Sequence, residues 1–201
     1  KISTKITLLQ NLVTKVDHIV IGGGMANTFL FAQNKNIGAS LYEKKFKSTA
    51  KYILEEARKF NCKIHLPVDV VCATGLSPNQ KPTLHDATAC PENKMILDVG
   101  PKTIAKITKV FKTSKTLIWN GPIGVFEVTP FNTATDSLAV VAALLTKEKK
   151  LLSIAGGGDT VFALNSSGTS NDFSYISYAG GAFLEWMEGK ILPGISALSK
   201  Y

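Results

Sequence analysis

Residues 153–159, SIAGGGD, decide the fold, because an apolar strand pattern there ends in three glycines and a helix pattern follows at once. The same order of strand, glycine turn and helix occurs in residues 19–25, IVIGGGM, and in residues 176–182, ISYAGGA. Strands that alternate with helices in this way predict parallel pairing with helices on both faces. We therefore expect an α/β fold, a doubly wound (Rossmann-like) parallel sheet of about six strands.

The rest of the chain continues this alternation. Further strand patterns occupy residues 63–66, 68–73, 95–99 and 116–119. Helical periodicity covers residues 6–16, 25–33, 48–60, 133–146 and a segment that begins at residue 101. Residues 74–93 are rich in Ser, Pro, Asn and Thr, and we expect an irregular excursion there. No linker composition divides the chain, so residues 1–201 are predicted to form one domain.

The charge of the chain bears on its partners. The net charge is +8, and Arg58 is the single arginine. Lysine binds phosphate as a point charge, whereas the arginine guanidinium suits bidentate contacts to phosphates and base edges. The lysines are scattered, and no basic run alternates with aromatic residues. We therefore expect solvated surface lysines and no nucleic-acid partner.

The cysteines and the apolar runs of the sequence indicate the cellular compartment of the protein. Cys62, Cys72 and Cys90 are odd in number and have spacings that fit no zinc site, so we expect free thiols and a cytoplasmic protein. The longest apolar run, residues 138–145, is shorter than the roughly 20 residues that span a bilayer. No signal-peptide pattern opens the sequence, and we expect no membrane association.

The glycine turns are the first candidate binding feature. Parallel sheets bind ligands at the carboxyl ends of their strands, and helix N-termini there attract anions. The sequence contains neither a P-loop motif nor a G-x-G-x-x-G motif. Taken alone, the glycine turns therefore have two interpretations, an anion site or room for helices to pack against the sheet.

Asp159 narrows these interpretations, because it follows residues 156–158 at a predicted helix start. It is either the N-cap of that helix or a ligand of Mg²⁺. A bare carboxylate would repel phosphate at the glycine turn, and a bridging Mg²⁺ removes this conflict. Thr160 adds a hydroxyl at the same helix start.

Lys1 and Lys5 stand four residues apart at the start of the first predicted helix. Cations in a first helical turn oppose the helix dipole, and a bound anion would compensate them. The alternative, which the two lysines alone favour, is a pair of exposed side chains near a chain end.

Residues 119–127, WNGPIGVFE, form the most unusual stretch. A strand pattern there ends in a glycine-proline turn, an apolar wall and a carboxylate. Pro122 and Ile123 could lie along an aromatic base, and Glu127 could accept hydrogen bonds from ribose hydroxyls. The alternative is a rigid loop with a surface glutamate.

Several segments together resemble phosphoglycerate kinase, in that family's order and spacing. They are residues 1–5 KISTK, 21–26 IGGGMA, 66–70 LPVDV, 97–101 LDVGP, 119–127 WNGPIGVFE, 155–160 AGGGDT and 184–190 LEWMEGK. The resemblance covers essentially the whole chain. It implies the C-terminal, nucleotide-binding half of a two-domain kinase, without the N-terminal half that binds 3-phosphoglycerate.

The resemblance also implies a reaction and a set of residues. The reaction is reversible phosphoryl transfer between 1,3-bisphosphoglycerate and Mg-ADP, which gives 3-phosphoglycerate and ATP. The implied catalytic residues are Lys1, Lys5, Gly156, Gly157 and Gly158. The implied nucleotide-binding residues are Lys5, Gly22, Gly23, Ile96, Leu97, Asn120, Pro122, Ile123, Glu127, Gly157, Gly158, Asp159 and Thr160. Asp159 is the implied Mg²⁺ ligand.

Two positions depart from the family pattern. Ile96 stands where many members have glycine beside the base, and Tyr178-Ala179 stands where many have Thr-Gly in a turn linked to domain closure. We expect a monomer that binds Mg-ADP or Mg-ATP but does not turn over without the other half. One alternative is a non-catalytic nucleotide-binding or scaffold protein on the same fold. Another is a nicotinamide-dependent oxidoreductase, but the G-x-G-x-x-G motif of such enzymes is missing from this sequence.

Overall fold

The computed structural model describes residues 1–77, 80–179 and 181–198. Gly180, part of the third glycine turn, lies outside this description. The strands are β1 (His18–Val20), β2 (Asn36–Ile37), β3 (Lys63–His65), β4 (Asp69–Ala73), β5 (Thr83–Asp86), β6 (Ala89–Cys90), β7 (Met95–Val99), β8 (Thr116–Trp119), β9 (Leu152–Gly156) and β10 (Tyr175–Ser177). The helices are α1 (Ile6–Leu12), α2 (Gly23–Ala32), α3 (Lys47–Lys59), α4 (Pro101–Thr113), α5 (Thr133–Lys147), α6 (Gly158–Ser166), α7 (Gly181–Met187) and α8 (Pro193–Leu198).

Parallel pairing dominates the strands that end in glycine turns. β9 lies between β8 and β10 and is parallel to both, and β1 is parallel to β3. Val20 of β1 packs against the core cluster that contains Trp119 of β8, so the two parallel groups share a core. The predicted α/β class with parallel strands is confirmed.

A three-stranded antiparallel group departs from an all-parallel sheet. β4 pairs in the antiparallel sense with β5 on one side and β7 on the other, with a register shift between Val71 and Cys72. β5 and the short β6 fall in residues 74–93, where the sequence predicted no regular structure. The half-exposed burial pattern of β5 explains the miss, because its polar composition is that of a loop and its pairing with β4 is a tertiary contact.

The main core lies beneath β8 and β9, where α4 and α5 pack together. α5 presents small residues to this core, and Ala134, Ala139 and Ala142 are fully buried. Small side chains let a helix approach its neighbours closely, which explains why an alanine-rich segment is helical and buried here. Across the described residues, no helix is both long enough and apolar enough to cross a membrane.

Asp69, a buried residue of β4, caps helix α4 from outside. Its carboxylate accepts hydrogen bonds from the N–H groups of Lys102 and Thr103 at 2.9 and 2.7 Å. α4 starts with Pro101 after Gly100, so its own N-terminal residues offer no capping side chain. Gly100 has to be glycine, since a Cβ there would lie 2.3 Å from the Asp69 carboxylate.

Asp98 of β7 caps α5 from outside in the same way. It is only 3% exposed, and its two oxygens accept hydrogen bonds from the N–H groups of Val99 and Ala134, each at 2.9 Å. Burial raises the pKa of this carboxyl to about 7, although both backbone hydrogen bonds act in the opposite direction. The position of α5 relative to β7 therefore depends on a carboxyl that titrates near neutrality.

This titration predicts a pH-dependent stability. The folded pKa of Asp98 lies above that of an unfolded aspartate, so the folded state holds the extra proton between about pH 4 and 7. The contribution of Asp98 to the free energy of unfolding is full below this window and falls by about 4 kcal/mol as pH rises through it. Asp98→Asn cannot ionise and should lack this slope.

Urea unfolding of both proteins from pH 4 to 8 measures the effect. The stability advantage of the natural chain over Asp98→Asn should shrink steadily as pH rises. Asp17→Asn, a change at an exposed aspartate, is the control and should parallel the natural chain. A constant difference between the natural chain and Asp98→Asn at every pH would contradict the raised pKa.

Candidate functional site

Two chain segments that are far apart in sequence meet backbone to backbone at the carboxyl end of β1. A Cβ on Gly22 would lie 2.9 Å from both Cα and the carbonyl oxygen of Ile123, so only glycine fits. The next residue, Gly23, has a φ of +59° and donates its N–H to the Ile123 carbonyl at 2.8 Å. These contacts fix the glycine turn after β1 against the loop after β8.

The side chain of Asn120 connects three further segments. Its Nδ2 donates to the carbonyl of Gly156 at 2.7 Å, and its Oδ1 accepts a hydrogen bond from Nζ of Lys5 at 3.2 Å. Burial lowers the pKa of the Lys5 ammonium, while the charge of Glu188 opposes that change. The segment before α1, the loop after β8 and the turn after β9 are thereby held at one edge.

Gly157 completes the turn after β9 and is the N-cap of α6. Its φ of +96° favours glycine, and a Cβ there would lie 2.7 Å from Nδ2 of Asn120. Gly158 has open space around its Cα, since a Cβ there would meet nothing within 4 Å. The first N–H groups of α6 therefore stand at an uncrowded helix N-terminus, a favourable place for an anion.

Asp159 does not cap α6. The N-cap is Gly157, and no side chain makes a capping hydrogen bond at this end, so the capping interpretation is wrong. The Asp159 carboxylate is exposed and has no hydrogen-bond or ion-pair partner within the part of the chain that the structure describes. Thr160 is nearly fully buried, and its hydroxyl oxygen accepts the N–H of Gly121 at 2.6 Å.

A single carboxylate suits a Mg²⁺ ion that binds together with a phosphate ligand. No group of three or more His, Cys, Asp or Glu residues that could hold a metal occurs among residues 1–77, 80–179 and 181–198. Mg²⁺ commonly takes one or two carboxylates and completes its shell with phosphate oxygens and water. Asp159, free and next to the start of α6, suits this mode and would not serve as part of a metal cage.

Two residues predicted to contact the base, Ile96 and Leu97, are neighbours in β7 but pack against different core clusters. Leu97 is buried, and its carbonyl accepts the N–H of Val125 at 2.8 Å, which joins β7 to the loop after β8. Ile96 is half-buried and donates its N–H to the hydroxyl of Ser40 at 2.8 Å. The pairing of β7 with β4 is irregular beside this isoleucine, since Asp98 pairs with Val71 and Ile96 pairs with Cys72.

The loop after β8 contains further residues that the sequence predicted to bind the nucleotide. Ile123 is buried and donates its N–H to the hydroxyl of Thr135 at 3.1 Å, while Pro122 is half-buried. Glu127 is exposed and has no partner among the described residues. The rings of Phe126 and Phe162 meet edge to face, 5.8 Å apart, across the loop and α6. The loop thus connects β7, through Val125, with α6, through Phe126.

Lys1 and Lys5 both precede the first helix, which differs from the prediction. α1 begins at Ile6 because residues 1–5 form a separate turn, in which Thr4 donates its hydroxyl to the carbonyl of Lys1 at 3.0 Å. Lys5 reaches the junction at Asn120, whereas Lys1 is exposed and has no ion-pair partner in the described segments. Tyr178, in the other segment that departs from the family pattern, is 78% exposed.

Sequence reasoning missed the residues that support this edge from behind. Asp98 lies directly behind the loop after β8, since a Cβ on Gly124 would fall 2.2 Å from its carboxylate. Asp98 follows an apolar stretch inside β7, and Asp69 begins the apolar strand β4. A carboxylate at such a position could have indicated a buried structural role. Thr135 was likewise missed, because a helical threonine gives no indication of the loop that it holds.

Comparisons with known proteins agree with this architecture. The sequence model of the family described as phosphoglycerate kinase matches residues 1–190. Phosphoglycerate kinase of Cereibacter sphaeroides (strain ATCC 17029 / ATH 2.4.9) is 56% identical over 199 residues, which cover 99% of this chain and 50% of that protein. The corresponding protein of Zymomonas mobilis is 57% identical over 98% of this chain and 50% of its own length.

A solved structure agrees as well. Phosphoglycerate kinase from Coxiella burnetii superposes with a TM-score of 0.94 at 46% identity, over 100% of this chain and 50% of that one. The chain therefore spans about half the length of the curated relatives that it matches. On the family match and these identities, the chain belongs to the phosphoglycerate kinase family.

Proposed function

We propose that residues 1–201 are the nucleotide-binding half of a phosphoglycerate kinase and bind Mg-ADP or Mg-ATP at the edge built around Asn120. The observation that carries this proposal is the junction of Lys5, Asn120 and Gly156 beside the open N-terminus of α6, with the unpartnered carboxylate of Asp159 next to it. In the assembled enzyme the reaction is reversible phosphoryl transfer between 1,3-bisphosphoglycerate and ADP. We also propose a cytoplasmic monomer without a nucleic-acid partner.

The phosphate end of the proposed site uses positive charge and backbone donors. Lys1 and Lys5 would neutralise the transferring phosphoryl group, and the N–H groups of residues 156–158 would donate to its oxygens. Asp159 would hold Mg²⁺, which when bound offsets the charge of the nucleotide phosphates. The contact between Lys5 and Asn120 supports this assignment, because it directs one of the two ammonium groups to the glycine turn.

At the base end, apolar residues from β7, the turn after β1 and the loop after β8 would together form one wall. Gly22, Gly23, Ile96, Leu97, Pro122 and Ile123 would enclose the adenine ring, and Asn120 would link this wall to the phosphate end. Glu127, exposed and unpartnered within the described residues, would accept hydrogen bonds from the ribose hydroxyls. The bulk of Ile96 in place of glycine would reduce the space for the adenine ring on this side.

Asp159→Asn tests the metal role directly. Asp159 makes no capping bond in the described structure, so the variant should fold with unchanged stability. Calorimetric titration should show Mg-ADP binding at least about tenfold weaker, since an amide oxygen is a poorer Mg²⁺ ligand than a carboxylate. Binding of metal-free ADP should change by less than about threefold.

Asp17→Asn, with the same chemical change at a remote exposed site, is the matched control and should bind like the natural chain. Equal weakening of ADP with and without Mg²⁺ in Asp159→Asn would show that this carboxylate does not act through the metal. No binding of Mg-ADP to the natural chain would contradict a working site within these residues.

Catalysis by this chain alone is a separate question. We expect no phosphoglycerate kinase turnover in a coupled assay, because the acyl phosphate has to be delivered by a second substrate domain. Lys5→Met, prepared in parallel, measures the background from contaminating enzyme, since a neutral side chain cannot neutralise the phosphoryl group. Turnover of the natural chain clearly above that of Lys5→Met would contradict this expectation.

A further inference from the structure

A cavity of about 530 Å³ lies away from the glycine turns, and none of the predicted site residues lines it. The last turn of α2, the second half of α3, β3 and residues 86–88 surround it. α2 starts at the glycine turn and has ten residues, so the cavity is about 15 Å along this helix from the proposed nucleotide site. Its volume is typical of small-molecule sites.

The lining of this cavity divides into an apolar floor and a cationic rim. The floor is formed by Leu30, Leu54, Ala57, Leu66 and Pro67. The rim carries four cationic side chains and one carboxylate. They are Lys35, Arg58, Lys63, Lys106 and Asp86.

The rim cations have little compensation. None of the four forms an ion pair within the described residues, where the ion pairs all involve other lysines. Nζ of Lys106 donates to the carbonyl of Leu66 at 3.4 Å, a neutral partner. Among the described lining residues the one carboxylate is Asp86, which accepts hydrogen bonds from the N–H and the hydroxyl of Thr88 at 2.9 and 2.7 Å. These bonds, and to a lesser extent the charges of Lys102 and Lys35, lower its pKa. The rim is therefore positive overall.

His65 lies beside this rim at the end of β3, and the charges of the rim affect its pKa. Its pKa is lowered to about 4, first by burial and then by His18 and by the charges of Lys106 and Lys63. A positive rim around an apolar floor is a combination that suits one class of ligand. The anionic end would contact Arg58 and the lysines, and the apolar body would cover the floor.

We propose that this cavity binds a small amphipathic anion, an organic phosphate or carboxylate with an apolar body, at a site separate from the nucleotide. A bare inorganic anion would leave the floor exposed to water. Single-stranded nucleic acid fits less well, because no aromatic side chain for base stacking is among the residues that line the cavity. The proposal is independent of the proposed nucleotide site.

Phenyl phosphate is a suitable probe, since it combines a dianion with an apolar ring. In amide-resolved NMR titrations of the ¹⁵N-labelled chain, we expect saturable shifts at residues 57–66 and 86–88. Phenol and inorganic phosphate, each with half of the chemistry, should bind at least about fivefold more weakly at the same amides. Shifts confined to residues 156–160 would place the probe at the glycine turns and overturn the proposal.

Charge variants complete the test. Arg58→Gln/Lys63→Gln should weaken phenyl phosphate binding by roughly fivefold or more. The matched control, Lys109→Gln/Lys115→Gln, removes the same charge from exposed positions outside the cavity and should change binding by less than about twofold. Equal weakening of phenyl phosphate binding in both double variants would show only a general attraction of the anion to a positive protein. A stronger response of these amides to an oligonucleotide than to phenyl phosphate would assign the rim to nucleic acid. Either result overturns the proposal.

Discussion

The amide of Asn120 is the interaction on which the rest of the site depends. It donates to the carbonyl of Gly156 and accepts from the ammonium of Lys5, so both halves of one side chain are used. An amide carries a donor and an acceptor on one planar group. An aspartate would lose the donor to Gly156, and an alanine would lose both bonds. Lys5 lies 115 residues and Gly156 36 residues from Asn120 in sequence, so three separate segments meet at this one group.

Glycine geometry and two buried carboxylates hold the surroundings of this junction. Gly22 lets the turn after β1 touch the backbone of Ile123, and Gly157 leaves room for the Asn120 side chain. Behind the loop, Asp98 ties β7 to the start of α5, as Asp69 ties β4 to the start of α4. Backbone groups at helix starts need partners, and here neighbouring strands provide them. The wall at Leu97 is thereby positioned by bonds that lie outside the site.

Much of this architecture could be predicted from sequence because it is local. The apolar stretch, the glycine turn and the following helix occur together at residues 153–159, and the structure confirms β9 and α6 there. β5 could not be predicted, since its alternating exposure makes sense only beside β4. The capping role considered for Asp159 was wrong for a related reason. The backbone of Gly157 already occupies the N-cap position, and residue type alone does not fix which residue begins a helix.

In the candidate site, too, local features could be predicted from the sequence and long-range contacts could not. The motifs predicted glycine turns at one edge of the sheet, and the contacts of Gly23 with Ile123 and of Asn120 with Gly156 join the turns after β1 and β9 to the loop after β8. The turn at residues 1–5 moves the start of α1 to Ile6. The long-range contacts of Asp98, Thr135 and the cavity rim leave no periodic pattern, because each joins segments that are distant in sequence. Such contacts are found from the packed chain and not from spacing.

Amide hydrogen exchange of Gly121 in the ligand-free chain tests most directly whether Asn120 organises the site. The Gly121 N–H is bonded to the hydroxyl of Thr160, so its protection reports whether the loop after β8 stays on α6. In Asn120→Ala this amide should exchange at least about tenfold faster, while the core amides of β9 keep their protection. Asn165→Ala, at an exposed position of α6, should leave Gly121 unchanged. Unchanged protection of Gly121 in Asn120→Ala would contradict the account.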